Sequence, residues 1–186
     1  AVDVQMNEGV GCHGSSLRSA SDRAPRLIDM ATPEFVLSLR EKIGTAPLPL
    51  VGVTAIVFRD EKVLIGRRAD NGSWQPVSGI VDPGEEPADA AIRECREEAG
   101  IVVRATRLAA VQQVPRIEYA NGDQVDYLDL VFRCDWVSGE PHPADGELTD
   151  VGWFGLGELV DVDQTHVRKI ALAIAEDDPA SFAGGR

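Results

Sequence analysis

Four of the six acidic side chains between residues 85 and 98 have a spacing that suits the binding of a divalent cation: Glu85, Glu94, Glu97 and Glu98. Glu94 and Glu98 are four residues apart and Glu97 is three residues beyond Glu94, so a helix would place them on one side. Like charges at this spacing repel, and the negative end of the helix dipole prefers cations nearby. Mg²⁺ takes oxygen ligands and leaves positions for phosphate oxygens. We therefore expect a cation and a diphosphate here, with a solvated acidic face as the alternative.

The elements that must position these acids are a glycine-containing loop and a helix. Pro87 favours the start of the helix and Gly100 favours its end. Gly79 and Gly84 permit close backbone approach in the preceding loop, and a backbone carbonyl there is a further candidate metal ligand. The predicted buried stripe of the helix consists of apolar or small residues at helical spacing: Ala88, Ala91, Ile92, Cys95 and Ala99.

The segment 79–101 resembles the Nudix box, GX5EX7REUXEEXGU, at every defined position, where U is apolar. The matching residues are Gly79, Glu85, Arg93, Glu94, Cys95, Glu97, Glu98, Gly100 and Ile101. The resemblance implies a Nudix hydrolase that cleaves a nucleoside diphosphate linked to another moiety, with Mg²⁺ or Mn²⁺. It also implies an α/β/α sandwich with a mixed β-sheet. Candidate substrates are ADP-ribose, nucleotide sugars, dinucleoside polyphosphates and (d)NTPs.

By the same resemblance, Glu94 and Glu98 are the expected metal ligands, supplemented by Glu97 and the Gly79 carbonyl. Glu85 and Arg93 are expected to join the loop and the helix through a salt bridge. Water would attack a phosphorus of the diphosphate, activated by the metal.

The general base is either a glutamate of the box or one from a later loop. Glu147 is the later-loop candidate for a ligand or base, with Asp145 as its neighbour and alternative. An ordinary exposed loop charge is the other interpretation of Glu147.

Candidate substrate-binding residues lie on either side of the box. Arg67 and Arg68 end a predicted strand, and we expect at most one of them to reach a phosphate, because strand alternation separates them. Trp74 is a candidate for stacking on a base, or for packing. Tyr119 and Tyr127 are candidate base or ribose contacts.

Composition predicts a soluble protein of the cytoplasm and is compatible with a small anionic substrate. The chain has 186 residues and a formal net charge of −13, which argues against a nucleic-acid surface or an anionic membrane as partner. Three cysteines without paired spacing suggest reduced thiols, and no apolar run is long enough to span a membrane.

The predicted organisation is a tail at residues 1–30, expected to be flexible, followed by a single Nudix hydrolase domain at residues 31–180. Helical patterns cover 32–44 and 163–176, and strand patterns occupy 51–68, 105–114 and 127–137. The helix at 32–44 is a packing helix or a contact in a homodimer. The functional alternative to a hydrolase is a non-catalytic Nudix-like module that binds or senses a nucleotide.

Overall fold

A computed structural model of the protein describes residues 32–159 and 161–182. The predicted tail at residues 1–30 lies outside the described residues. Within these residues there are three α-helices, α1 (Glu34–Ile43), α2 (Pro87–Ala99) and α3 (Gln164–Ile174), and a short 3-10 helix (Leu156–Glu158). The strands are β1 (Leu48–Arg59), β2 (Lys62–Arg68), β3 (Trp74–Gln75), β4 (Val77–Ile80), β5 (Val102–Gln113), β6 (Ile117–Glu118), β7 (Gln124–Ser138), β8 (Leu148–Gly155) and β9 (Ser181–Phe182).

The strands form one mixed sheet around β1. Strand β1 runs parallel to β7, which pairs antiparallel with β5, and β9 adds a parallel edge beside β5. On the other side of β1, strands β2 and β4 pair antiparallel with its two halves, and β8 pairs with β2. The predicted mixed sheet is confirmed.

Helices cover both faces of the sheet because β1 is apolar on both sides. Its residues Val53, Ala55 and Val57 belong to the core cluster that includes the buried face of α2. Ile56, between them, belongs to the cluster that includes Ile170 of α3. Alternate side chains of a strand point to opposite faces, so a strand buried on both sides requires a helix on each. This arrangement is the predicted α/β/α sandwich.

Helix α1 covers the N-terminal ends of β1 and β7. Val36 is buried against Leu48, Leu50 and Val125. Leu39, from the apolar stripe of the same helix, stays 37% exposed. The expectation of a homodimer through this helix stays a prediction. Of the helices in the described residues, none is long and apolar enough to cross a membrane.

A buried polar network fastens α3 to the sheet. Lys169 Nζ lies 2.8 Å from Asp129 Oδ2 on β7, and Thr54 Oγ1 donates to Asp129 Oδ1 at 2.9 Å. Lys169 and Asp129 are both nearly fully buried. A buried ion pair costs desolvation energy, and removal of one partner leaves an uncompensated charge. The network therefore fixes where α3 docks.

Candidate active site

Helix α2 has the boundaries that its sequence predicts. Pro87 occupies the first turn, and Gly100 ends the helix in the left-handed conformation at φ 66°, with its N–H donating to the carbonyl of Arg96. The small residues Ala91, Cys95 and Ala99 are fully buried against the sheet, as predicted. Their small size brings the helix axis close to the sheet, and the acids beside the stripe are drawn partly into the interior.

Glu98 is the most deeply buried acid of the box. Its side chain is 3% exposed, and it forms no ion pair with any residue of the described ranges. Burial raises the pKa of Glu98 well above 4.5, and the charges of Glu147, Glu94 and Asp145 raise it further, while Arg68 opposes them. A buried carboxylate without a counterion is unfavourable, so this position is chemically suited to a bound cation.

Glu94 contacts the backbone of Gly79, which precedes the box loop. A side-chain carbon at position 79 would clash with the Glu94 carboxylate, so only glycine permits this contact. Burial raises the pKa of Glu94 to about 7, with Arg93 opposing the shift and Glu147 adding to it. The Gly79 backbone and the Glu94 carboxylate are therefore neighbours, as the metal-site hypothesis requires.

Arg93 joins the loop to the helix through several hydrogen bonds. Its Nε and Nη2 donate to the two oxygens of Glu85 at 2.9 and 3.0 Å, so the predicted salt bridge is present. Its Nη1 donates to Glu94 and Glu97, both at 2.9 Å, and Nη2 also donates to the Ile80 carbonyl at 3.1 Å. The pKa of Arg93 is raised, chiefly by the bond to Glu85. Glu97 is therefore held by Arg93 at the exposed side of the helix.

The loop between β7 and β8 is attached to the end of α2. The backbone N–H groups of His142 and Ala144 donate to the carbonyls of Ala99 and Glu98, both at 3.1 Å. The His142 ring occupies the space where a side chain of residue 100 would lie. The last carbonyls of a helix need partners, and here the loop supplies them. The loop is thereby fixed relative to the acids of α2.

Glu147 lies where this loop enters β8. Its carbonyl accepts a hydrogen bond from the Ala69 N–H at 2.8 Å, which ties it to the end of β2. Burial raises the pKa of Glu147, Asp145 raises it further and Arg68 opposes the shift. The charge of Glu147 raises the pKa of both Glu94 and Glu98. The three carboxylates are therefore near one another in space, although Glu147 is far from the other two in the sequence.

The acids are chemically suited to a divalent cation, but their side chains do not yet converge. Within the residues that the structure describes, no group of three or more His, Cys, Asp or Glu side chains is arranged to hold a metal ion. Glu94 is paired with Arg93, and Glu97 points to the same guanidinium. Glu98 has no ion-pair partner in this part of the chain, and the pKa of Glu94 is raised. The carboxylates of these two residues nevertheless provide oxygen donors of the kind that Mg²⁺ or Mn²⁺ prefers. Binding of a cation by Glu94 would compete with the hydrogen bond that it accepts from Arg93.

The two adjacent arginines have different surroundings. Arg68 forms a two-bond pair with Asp70 and its charge acts on Glu98 and Glu147. Arg67 donates from Nε to the Gly72 carbonyl at 3.2 Å, within the turn after β2. Arg68 is therefore the arginine of the pair whose charge acts on the acids, and the expectation that at most one of the two reaches a phosphate stays a prediction.

Each of the three aromatic candidates packs against other parts of the fold, and Tyr127 also lies near the Gly79 carbonyl and the charge of Arg68. Trp74 meets Phe154 edge to face, with ring centroids 5.2 Å apart, in the core on the α3 side. The hydroxyls of Tyr119 and Tyr127 lie 3.2 Å apart, and both rings pack with the residues under α1. Burial raises the pKa of Tyr127. Packing, the alternative given for Trp74, is thus the contact that the structure shows.

Sequence patterns did not single out Asp70 or His142. Asp70 follows Arg68 by two residues in an Asn-Gly turn, and this short spacing is the signal that could have identified it. His142 carries no comparable signal, because its contact with Gly100 arises only when β7 and α2 come together. Asp129 and Lys169 are separated by 40 residues in the sequence and gave no pattern either.

The sequence profile of the NUDIX domain matches residues 48–173, which include every strand from β1 to β8 and helices α2 and most of α3. The chain belongs to the Nudix family. A MutT-like protein of Streptomyces ambofaciens is 34% identical over 124 residues, covering 66% of this chain and 75% of that protein. Its match confirms the Nudix hydrolase predicted from the box.

Other Nudix relatives differ in length. An NAD-capped RNA hydrolase of Pseudomonas aeruginosa is 31% identical over 109 residues, covering 56% of this chain and 35% of that protein. An ADP-ribose pyrophosphatase of Methanocaldococcus jannaschii is 28% identical over 114 residues, covering 60% of this chain and 64% of that protein. The chain thus spans about a third of the first and somewhat under two thirds of the second.

A solved structure shows the same Nudix fold. The MutT Nudix hydrolase of Burkholderia pseudomallei superposes with a TM-score of 0.57 at 28% identity, covering 67% of this chain and 98% of that one. The predicted fold class is therefore confirmed. Nudix hydrolases generally use divalent metal ions.

Proposed function

We propose that this Nudix hydrolase cleaves a nucleoside diphosphate linked to a second group, with Mg²⁺ or Mn²⁺ as cofactor. One observation carries the proposal. Glu98 is buried without a counterion, and the charges of Glu94 and Glu147 raise its pKa further. Such a cluster is unfavourable for the protein alone and becomes favourable when a cation neutralises it.

Glu94 and Glu98 would hold the cation, with Glu97 and the Gly79 carbonyl as further donors. When bound, the cation would orient and activate the attacking water and neutralise charge on the phosphoryl oxygens. Arg93 keeps the loop fixed against the helix through Glu85, so the Gly79 backbone stays beside Glu94.

Glu147 would accept the proton of the attacking water. Its pKa is raised by burial, and a base works best when its pKa approaches the working pH. The loop attachment to α2 and the hydrogen bond from Ala69 hold it in place. A glutamate of the box remains the alternative base, and Asp145, which adjoins Glu147, is the second.

Arg68 would bind a phosphate oxygen of the substrate. It is the one arginine of the pair whose charge reaches the acids, and guanidinium groups bind phosphate through two parallel hydrogen bonds. Four residues are left as candidates for the part of the substrate beyond the diphosphate: Arg67, Trp74, Tyr119 and Tyr127. Arg67 is exposed, whereas the three aromatic side chains are partly buried by packing, which supports them less.

The substrate class is supported by the names of two relatives. The ADP-ribose pyrophosphatase and the NAD-capped RNA hydrolase both act on compounds in which a diphosphate joins adenosine to a second group. The net charge of −13 favours a small nucleotide over a polymer. We therefore expect ADP-ribose and NAD to be cleaved faster than dNTPs.

A substrate panel with two variants tests the proposal. The panel contains ADP-ribose, NAD, nucleotide sugars, dinucleoside polyphosphates and dNTPs, each assayed with Mg²⁺, with Mn²⁺ and with EDTA. We expect Glu94→Gln and Glu98→Gln to lower kcat by at least roughly 100-fold, since each removes a cation donor. Glu118→Gln, at the exposed strand β6, is the matched control.

Two results would contradict the proposal. Wild-type rates in both variants would contradict the assignment of Glu94 and Glu98 as cation ligands. Tight nucleotide binding by the wild-type protein without turnover of any panel member would instead support a non-catalytic binding module.

A further inference from the structure

The turn that follows β2 holds one arginine in a defined position. Arg68 Nε and Nη2 donate to the two oxygens of Asp70, both at 2.8 Å. The turn is itself closed by hydrogen bonds from the Arg68 N–H to the Ser73 carbonyl at 2.9 Å and from the Gly72 N–H to the Arg68 carbonyl at 3.0 Å. The backbone under this ion pair is therefore fixed.

This turn lies directly beside the acids. Arg68 is the register partner of Leu148, and the Ala69 N–H donates to the carbonyl of Glu147. The Arg68 charge counteracts the effect of burial on the pKa of both Glu98 and Glu147. A mobile guanidinium at this place would be attracted to those uncompensated carboxylates.

Asp70 competes with them for Arg68. Two charge-assisted hydrogen bonds in a fork define both the position and the plane of a guanidinium. The fork occupies Nε and one N–H of Nη2, and the Nη1 edge keeps its donors for another partner. Arg68 and Asp70 are 29% and 42% exposed, so this pair adds little to folding stability. A role in the site explains the geometry better than a role in stability.

We propose that Asp70 is a positioning residue that holds Arg68 off Glu98 and Glu147, keeping those carboxylates free for the cation and the outer edge of Arg68 free for phosphate. The inference rests on the proposed function. It assigns to Asp70 an effect on cation affinity that acts only through Arg68. It therefore predicts that loss of Asp70 is harmful when Arg68 is present and harmless when Arg68 is absent.

Mn²⁺ titration by calorimetry, without substrate, tests this prediction directly. We expect Asp70→Asn to weaken Mn²⁺ binding roughly tenfold, because a hydrogen bond to a charged group is of that order. The double variant Asp70→Asn with Arg68→Gln should bind Mn²⁺ as tightly as Arg68→Gln alone. Asp70→Glu, which keeps the carboxylate, should recover part of the wild-type affinity.

The control is a second fork of the same chemistry. Arg116 Nε and Nη2 donate to Asp126 at 2.9 and 2.8 Å on the exposed side of β7. Asp126→Asn breaks this fork and should leave Mn²⁺ affinity unchanged. In steady-state assays, Asp70→Asn should raise KM for the substrate more than it lowers kcat at saturating metal.

Two outcomes would overturn the inference. One is equal Mn²⁺ affinity in Asp70→Asn and the wild type. The other is a loss of affinity that persists in the double variant, since that loss would not act through Arg68. A wild-type protein that binds no Mn²⁺ would instead contradict the proposed function, so the two failures are distinguishable.

Discussion

Replacement of Glu98 by glutamine should stabilise the metal-free protein while it abolishes hydrolysis. The Glu98 side chain is 3% exposed and has no ion-pair partner in the described ranges, so its charged form is unfavourable in the folded state. Its pKa is raised above 4.5, which means that the folded protein binds this proton more tightly than the unfolded chain. The contribution of Glu98 to folding stability is therefore greatest below pH 4.5 and is lost as the pH rises from there toward its folded-state pKa.

The shift in the pKa of Glu94 gives the order of magnitude of such a loss of stability. Its pKa rises from 4.5 to about 7, and this difference corresponds to about 3 kcal/mol of stability lost between those pH values. Glutamine at position 98 carries no charge, so the stability that the wild type loses when Glu98 ionises is not lost in the variant. We expect the free energy of unfolding of Glu98→Gln to exceed that of the wild type by roughly 1–3 kcal/mol at pH 8 and to match it near pH 4.

Urea denaturation at several pH values, with EDTA present, measures this difference. Addition of Mg²⁺ should stabilise the wild type through binding to the native state and should have much less effect on Glu98→Gln. Glu118→Gln, which changes an exposed acid, should follow the wild type at every pH. A variant at position 98 that is less stable than the wild type at pH 8 would refute the claim that this carboxylate is uncompensated.

Three further changes have defined consequences. Gly79→Ala should displace the Glu94 carboxylate and lower kcat at least roughly tenfold with the far-ultraviolet circular dichroism unchanged, whereas wild-type activity would mean that the contact has no role. Lys169→Met should lower the free energy of unfolding by about 3–5 kcal/mol, because it leaves Asp129 buried and charged; urea denaturation measures this, and a loss below 1 kcal/mol would contradict it. Arg93→Lys should lower the melting temperature and the activity, because an ammonium group cannot reproduce the fork; an unchanged melting temperature would contradict it.

The local features of the site were predictable from the sequence because they depend on short spacings. The limits of α2 follow from Pro87 and Gly100, and its buried stripe follows from helical periodicity. The salt bridge of Glu85 and Arg93 joins residues eight apart across one loop. These interactions are determined within about twenty residues, so a single segment contains the information for them.

The surroundings of the aromatic candidates were not predictable, because they depend on how distant segments meet. Trp74 packs on Phe154 through the pairing of β2 with β3 and β8, and no local pattern encodes that register. Leu128 illustrates the same limit. Strand alternation places it on the same face of β7 as the buried Cys134, yet it lies 42% exposed at the part of the strand next to Val51, which is also exposed.

The acids of the box differ in the direction in which their pKa values are shifted, although Arg93 contacts several of them. Glu85 receives both Nε and Nη2, and these hydrogen bonds lower the pKa of Glu85, as in a structural ion pair. Glu94 has the same guanidinium as a neighbour, yet burial outweighs that contact and raises its pKa. Glu98 forms no ion pair among the described residues, and the more distant charge of Arg68 only partly opposes the rise in its pKa. Opposite shifts in carboxylates of one short segment indicate different roles, since folding alone would favour pairing every acid. Of the acids proposed to bind a cation, Glu98 is thus the one without an ion pair in the described ranges, whereas Glu94 and Glu97 accept hydrogen bonds from Arg93. The desolvation penalty falls on Glu94 and Glu98, where a cation would remove it.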